Sequence, residues 1–355
     1  MPRGMHRQRG VALITVLMVF AIATLITGKV IVGKSIDVRR VNGMVNRTQV
    51  HYYALAAESL AILALREEDQ QDVDDKKPAD TLEEIWASPN IAFEIDNIGE
   101  VSVQIVDLNR FYNLNNLLQE DGLVNQQELE RFRNLLVELQ LDSELADNLA
   151  DWLDADDKEQ GYLSESDAYA NRSPAYRAAN QRMTDLSELR LVNGFEPAVL
   201  EVLLPHVTVV NTVGVLPINV NTAGLYVLTT LQEQTTDNRE QGLSLSAAQN
   251  ILSEVPYEND EEFNERSGTR NIVTSSKMTG NDSQGNTRFN SRNRHYGVSS
   301  DYFEVNISAR YAGYTAYLTT QLYQEGSGNA AKYVVLSRKE TDNSWRFAQF
   351  SAAPP

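Results

Sequence analysis

The chain has no cysteine among its 355 residues. Disulfides, thiolate metal sites, iron–sulfur clusters and cysteine nucleophiles are thereby excluded. Histidine is nearly as scarce. The four histidines, His6, His51, His206 and His295, are scattered. They form no H-E-x-x-H pattern, and no G-x-S-x-G nucleophile elbow occurs. Each is expected at the surface or in packing. Positive charge is also in deficit, with 31 Lys and Arg against 49 Asp and Glu and a formal net charge of −18. Such a surface repels phosphate backbones and anionic lipid headgroups, and argues against nucleic acid as a partner for the bulk of the chain. What is present suffices for a core. The apolar fraction is 42%, slightly low for a globular chain but far from disordered. The length suits one large domain or two ordinary ones.

Charge is missing altogether from Val11 to Gly28, after Arg3, Arg7 and Arg9. As a helix this run spans roughly 27 Å, enough to cross a bilayer core. A cleaved secretory signal is one reading, and a plain signal anchor another. The run is longer than a usual signal core, no small-x-small cleavage site with a clear break follows, and apolar residues continue through Val30, Ile31 and Val32. Lys29, Lys34, Arg39 and Arg40 beyond it compete with the leader in setting topology. Within this region, Gly28-Lys-Val-Ile-Val-Gly-Lys-Ser35 matches the P-loop pattern letter for letter. Its β-branched interior suits a phosphate nest poorly, and a P-loop needs a strand, a loop and then a helix. The match is read as a decoy.

From Ser35 to about Arg66 there is no proline, and Val38, Val41, Val45, Tyr52, Leu55, Ile62 and Leu63 follow a loose helical spacing. One long helix over residues 11–66 is expected, with 11–28 in membrane and the rest packed on its own domain. Asp69–Asp80 reads as an acidic loop, and Thr81–Trp86 as one helical turn with Thr81 and Glu84 at capping-box spacing. Ile91–Asp96 and Glu100–Asp107 alternate with period two about a break at Asn97–Gly99, which predicts a hairpin. Leu114–Leu204 then turns helical, with Leu129, Phe132, Leu135, Leu136 and Leu139 on one face, and Leu216–Glu254 continues in that style. Residues 261–300 are polar and read as a loop. Asp301–Tyr311, Tyr314–Tyr323, Lys332–Leu336 and Trp345–Phe350 are strand candidates. Strands come early and late around a helical block. The simplest architecture is one sheet on the N-terminal helix, interrupted by an insertion.

Carboxylates cluster at Asp151, Asp154, Asp156 and Asp157, with Glu159, Glu165 and Asp167 beyond. Calcium, which takes six to eight oxygen ligands, would bridge them, and a solvated acidic turn is the alternative. Asp154, Asp156 and Glu165 fall at positions 1, 3 and 12 of an EF-hand frame. Lys158 at position 5 and Glu159 in place of the glycine rule that motif out. Trp152 and Leu153 would pin the loop to the core.

Three stretches carry a family resemblance. They are Arg7-Gln-Arg-Gly-Val-Ala-Leu-Ile14; Phe111-Tyr-Asn-Leu-Asn-Asn-Leu117 with Leu149-Ala-Asp-Trp-Leu-Asp-Ala-Asp-Asp157; and Leu186-Ser-Glu-Leu189 with Ile218-Asn-Val-Asn-Thr-Ala223. The first resembles the leader of type IV pilins and type II secretion pseudopilins, where a prepilin peptidase cuts after a glycine and the new amine is methylated. Here those residues are Gly10 and Val11. In order and spacing, all three resemble the general secretion pathway protein K family, minor pseudopilins of type II secretion. The resemblance implies an α+β fold: a pilin-like long N-terminal helix packed on an antiparallel sheet, with a large all-helical, SAM-like insertion. Its implied parts are a leader over 1–10, the helix over 11–66, a first piece of the pilin-like domain over 67–107, the insertion over 108–260, the polar loop over 261–300 and the remaining strands over 301–355.

The resemblance further implies a non-enzymatic subunit at the pseudopilus tip, anchored once in the inner membrane with its bulk in the periplasm. Other minor pseudopilins and the prepilin peptidase would be its partners. Val11, Leu13, Ile14, Thr15 and Leu17 would pack on partner helices. Thr15 stands where most pilins carry the Glu that neutralises a neighbour's amine, a departure that suits a cap. Structural calcium is implied at Asp151, Asp154, Asp156, Asp157, Glu165 and Asp167. The alternatives are a minor pilin of a type IV pilus and a signal-anchored periplasmic enzyme. Ile218–Ala223 also resembles the start of a helix-hairpin-helix DNA module, but the acidic balance and the lack of a basic hairpin argue against it.

Overall fold

The computed structural model describes residues 9–75, 79–89, 91–95, 98–155, 169–170, 173–212, 214–234, 240–266, 272–273, 294–326 and 330–342, the side chains of 9–11 and 71–75 excepted. Helix α1 (Arg9–Asp75) is uninterrupted for 67 residues, about 100 Å at ~1.5 Å per residue. It runs past the expected end at Arg66. Two carboxylates on it explain how its far half is held. Glu58 accepts from Arg338 Nε and Nη2 at 2.8 and 2.7 Å and from Thr320 Oγ1 at 2.6 Å. Asp69 accepts from Gln324 Nε2 at 2.8 Å and from the Tyr333 hydroxyl at 2.9 Å. The acidic loop expected from Asp69 thus begins later, because Asp69 is a helical anchor.

The partner of α1 is a five-stranded antiparallel sheet, built from β1 (Ile91–Ile95), β2 (Gly99–Asp107), β9 (Tyr302–Tyr311), β10 (Tyr314–Glu325) and β11 (Lys332–Lys339), in the order β1-β2-β9-β10-β11. Intervening short strands are introduced below. The hairpin register is Ile91↔Val103 to Ile95↔Gly99. Period-two alternation turns Val101, Val103 and Ile105 of β2, Phe303, Val305, Ile307 and Ala309 of β9, and Leu318 and Leu322 of β10 onto α1. The helix contributes Val50, Ala54, Ala57, Ala61 and Leu65. Three alanines let its backbone approach the sheet closely. Trp86 closes this core edge-on to Phe303 at 5.4 Å. The expected turn at Thr81–Trp86 is a 3-10 turn over Ile85–Ala87, and the capping contact is formed, with Thr81 N–H donating to Glu84 Oε1 at 2.5 Å. The strand candidate Trp345–Phe350 lies outside the described residues.

The insertion leaves the sheet at Asp107 and returns at Tyr302, where Leu108 N–H donates to the Tyr302 carbonyl at 2.8 Å. Strands β2 and β9 therefore pair side by side across the whole intervening block. Its first core gathers α2 (Gln126–Glu138), α3 (Leu145–Leu153) and α4 (Pro197–Leu203), with Leu129, Phe132, Leu135 and Leu136 meeting Leu149, Trp152, Leu153, Leu189 and Leu203. Leu139 flanks this core partly buried, as the spacing indicates. A second core gathers α5 (Leu225–Leu228), α6 (Leu245–Ser253) and α7 (Asp260–Glu265) around Val220, Leu231, Tyr257, Phe263 and Tyr296.

The insertion is mainly helical but not all-helical. Two-residue parallel ladders join β3 (Tyr112–Asn113) to β4 (Val207–Thr208) and β5 (Ile218–Asn219) to β8 (Tyr296–Gly297), and β6 (Gln232–Gln234) pairs antiparallel with β7 (Glu240–Gly242). Its end also moves. Helix α7 and strand β8 fall inside the expected polar loop over 261–300, because Phe263 and Tyr296 are core residues.

Buried asparagines, all but Asn109 in the motifs Phe111–Leu117 and Ile218–Ala223, explain this architecture. Asn109, Asn113, Asn115, Asn116 and Asn219 are all buried. Asn113 and Asn116 donate to the Val210 and Leu216 carbonyls and accept from the Val210 and Leu216 N–H groups. Asn115 does the same with Met183. Each side-chain amide thus pairs with the backbone of a distant segment, as a missing strand would. The Asn219 amide reaches the Asp80 carbonyl at 3.1 Å and Ser300 Oγ at 2.8 Å, tying the insertion to the pilin-like part.

Candidate functional site

The stalk of α1 is the first candidate surface. Leu13, Ile14 and Leu17 are each at least 60% exposed. This is the only helix among the described residues long and apolar enough to cross a membrane. Thr15 Oγ1 donates to the Ala12 carbonyl of its own helix at 2.9 Å, so this position presents no carboxylate to a neighbouring chain. Gly10 and Val11 lie within the helix, and the Val11 side chain is outside the described residues. The P-loop match is excluded by geometry. Gly28–Ser35 is continuous α-helix, whose N–H groups are used internally and cannot wrap a phosphate.

Above the stalk, α1 has two apolar faces. Val50, Ala54, Ala57, Ala61 and Leu65 meet the sheet, while Val38, Val41, Val45, Tyr52, Leu60 and Leu63 are exposed. At 3.6 residues per turn the second set lies across the helix from the first, with Leu60 at its flank. This corrects the expectation that Val38, Val41, Val45, Tyr52 and Leu63 pack on the chain's own domain. Only Leu55 and Ile62 of that series touch the sheet core, at its flanks. The outward stripe continues the apolar stalk upward as a seam of the right spacing for another helix. The sequence reading missed it because the sheet-facing residues are alanines, which carry little hydrophobic signal.

The acidic segment is the second candidate. Asp151 and Asp154 are 0% and 2% exposed at the end of α3. Asp156, Asp157, Glu165 and Asp167 lie outside the described residues. Among the described residues no group of three or more potential metal ligands converges. The two ends of this segment are nonetheless pinned together. Trp152 meets Tyr169 edge-on at 5.1 Å, Tyr176 stacks on Tyr169 at 5.3 Å, and Asn180 N–H donates to the Trp152 carbonyl at 3.0 Å. Trp152 and Leu153 are core residues, as expected. Buried carboxylates at a helix C-terminus sit where negative charge is disfavoured. That setting, and a donor set of oxygens alone, fit a hard cation.

One buried constellation was not legible in the sequence. Arg131 Nη1 donates to Glu128 Oε1 at 2.6 Å, and Arg131 Nε donates to the Thr230 carbonyl at 2.8 Å. His295 Nδ1 lies 3.1 Å from Glu128 Oε1, and the Tyr112 hydroxyl donates to the Glu128 carbonyl at 2.8 Å. Burial alone would raise the Glu128 carboxyl, but Arg131 and His295 outweigh it and bring it down to about 2. Burial, helped by Arg131, pushes His295 below its ordinary value. A carboxylate, an imidazole and a phenol together suggest acid–base chemistry. All four residues are at most 1% exposed, so no substrate reaches them. They clamp the two insertion cores together. His206 is held down to about 4 by burial, beside the Tyr226 ring, and His51 lies 3.8 Å from Glu340. The expectation of packing or surface roles for these three holds, and His6 lies outside the described residues.

Comparison with known proteins extends this picture. Residues 110–212 match the family model described as type II secretion system (T2SS), protein K. The chain is 35% identical over 307 residues to type II secretion system protein K of Pseudomonas aeruginosa, covering 84% of this chain and 83% of that one. It is 33% identical over 227 residues to the protein of that name from Pectobacterium carotovorum, covering 61% and 67%. In fold it is similar to a chain in the crystal structure of the GspK–GspI–GspJ complex from the enterotoxigenic Escherichia coli type 2 secretion system, with a TM-score of 0.65 at 20% identity. That match covers 86% of this chain and all of the other.

Proposed function

The chain belongs to the type II secretion system protein K family, and from that premise we propose that it works by co-assembly with other minor pseudopilins at the tip of a periplasmic pseudopilus. The observation that carries this reading is the second apolar face of α1. A helix with one face on its own sheet and an opposite, exposed stripe continuous with an apolar stalk is built to join a helical bundle. The partners by chemistry are subunits with matching stalks, and the related complex with GspI and GspJ supports that assignment. The leader ends at Gly10, a prepilin peptidase cuts before Val11, and the apolar helix stays on the protein as its single inner-membrane anchor with the head in the periplasm. Thr15 offers no charge to a subunit above it, and the bulky insertion blocks addition on that side.

No enzymatic step is assigned, and the sealed Glu128–Arg131–His295–Tyr112 cluster supports a structural role for the insertion. Asp151, Asp154, Asp156, Asp157, Glu165 and Asp167 would hold calcium, which supplies charge neutralisation to the acidic segment. The test of the function is the N-terminus of the protein recovered from membranes with and without a prepilin peptidase. A methylated Val11 start in its presence alone supports the pseudopilin reading. An uncut leader under both conditions contradicts it.

A further inference from the structure

Between the apolar stalk and the head, the charge of α1 opposes that of the whole molecule. Residues 29–57 hold Lys29, Lys34, Arg39, Arg40 and Arg47 against one acid, Asp37, in a chain of net charge −18. All five basic side chains are exposed, and no ion pair among the described residues involves them. Lys34 lies on the outward side, but the other four gather on one side of the helix. Arg47 and Arg40 lie seven and fourteen residues before Ala54, which faces the sheet, and Lys29 lies eleven before Arg40. Steps of seven and eleven return to one face. This basic row is therefore the downward continuation of the sheet-facing row, on the side that the head overhangs and opposite the outward apolar stripe.

The underside of the head closes the space above that row. The β9–β10 hairpin turns at Ala312 and Gly313, and its Tyr314 ring lies 5.7 Å from the Arg47 guanidinium. Tyr314 is seated so closely over Gly43 that a Cβ there would lie 3.0 Å from its hydroxyl. The result is a slot with a basic wall and an aromatic roof. Its floor is the bilayer surface wherever the stalk is inserted. Lys29 stands at the stalk's end. Arg39 and Arg40 are about 15 Å higher along the axis at ~1.5 Å per residue. Side-chain length and a Debye length of ~8 Å bring them within range of the headgroup layer.

We infer that this face of α1 binds anionic phospholipid headgroups, drawing the head down over the membrane on the basic side and leaving the apolar stripe turned outward. The proposal rests on the reading of the stalk as a membrane anchor. Charge complementarity and continuity with the stalk select a lipid surface over a protein here, because Lys29 emerges at the end of the membrane-spanning run, where phosphate headgroups are the nearest anions. Release from the lipid on extraction into the pseudopilus would free the same residues.

The chain has no native cysteine, so Thr315→Cys on the exposed underside gives a single labelling site. The full-length labelled chain is placed in nanodiscs of phosphatidylcholine alone, or with about a third phosphatidylglycerol, each carrying an energy-transfer acceptor in the headgroup layer. The expected result is severalfold more transfer in the anionic discs. That excess is abolished in a Lys29→Gln/Arg39→Gln/Arg40→Gln variant and by about 1 M salt, which shortens the Debye length to ~3 Å. Equal transfer in both lipids overturns the proposal, as does an excess that survives the triple substitution. Flotation of the same protein with vesicles of either lipid is the control. Failure to float overturns the anchor itself, whereas flotation with equal transfer overturns the lipid-binding face alone.

Discussion

At the scale of single residues, buried charge decides more than hydrophobicity does. Glu128 is ionised inside the insertion because Arg131 and His295 stand against it. Its folded value of about 2 lies below the ordinary 4.5, so the unfolded chain binds more protons between these limits. The stability it contributes is present above about pH 4.5 and is lost as pH falls toward about 2. Asp185, held at about 2 by its ion pair with Lys339, acts in the same direction. Asp107 and Asp69 act oppositely, because burial raises both. Their contribution is present at low pH and is lost as pH rises through their folded values. Glu128→Gln leaves Arg131 buried without its counter-charge, and a loss of about 3–5 kcal/mol is expected in denaturant titration at pH 7. The same variant should also flatten the acid limb of stability between about pH 4.5 and 2. An unchanged acid limb would remove Glu128 from its cause. None of this was legible in advance. Arg131 and His295 are separated by 164 residues, and no local pattern joins them.

At the scale of elements, α1 was legible as a helix, but its two faces were not distinguishable. Periodicity marks Val38, Val41, Val45, Tyr52 and Leu63 as one face without stating what covers it. The face that meets the sheet is marked by alanines, chosen for close approach. The two faces separate under substitution. Ala57→Leu inserts bulk between helix and sheet and should cost about 1–3 kcal/mol. Leu63→Glu on the outward stripe should shift stability by no more than about 0.5 kcal/mol while weakening co-purification with partner pseudopilins. Thermal melting of the two variants beside pull-down yields tests both halves. The acidic segment after α3 belongs to this scale too. If calcium holds it, chelation with EDTA should lower the melting temperature by several degrees and added calcium should restore it. Melting unaffected by EDTA would return the segment to a solvated acidic turn.

At the scale of the whole molecule, strands early and late around a helical block were readable from the change of period, and so was the single sheet. The strand order was not, because the β2–β9 pairing spans the insertion. Polar motifs were more informative than apolar ones here. Asn113, Asn115 and Asn116 carry backbone pairing between distant segments, a role that composition alone does not disclose. The small ladders β3–β4 and β5–β8 were missed for a related reason. Two-residue strands leave no alternation to read.

The central claim is that the outward face of α1 is the assembly surface. Single cysteines along this cysteine-free helix test it most directly, in membranes that hold the other pseudopilins. Cysteines at Val38, Val45, Tyr52 and Leu63 are expected to cross-link to partner subunits, while cysteines at Ala54, Ala57 and Ala61 are expected not to. Cross-linking without regard to face, or confined to the sheet-facing positions, would contradict the account.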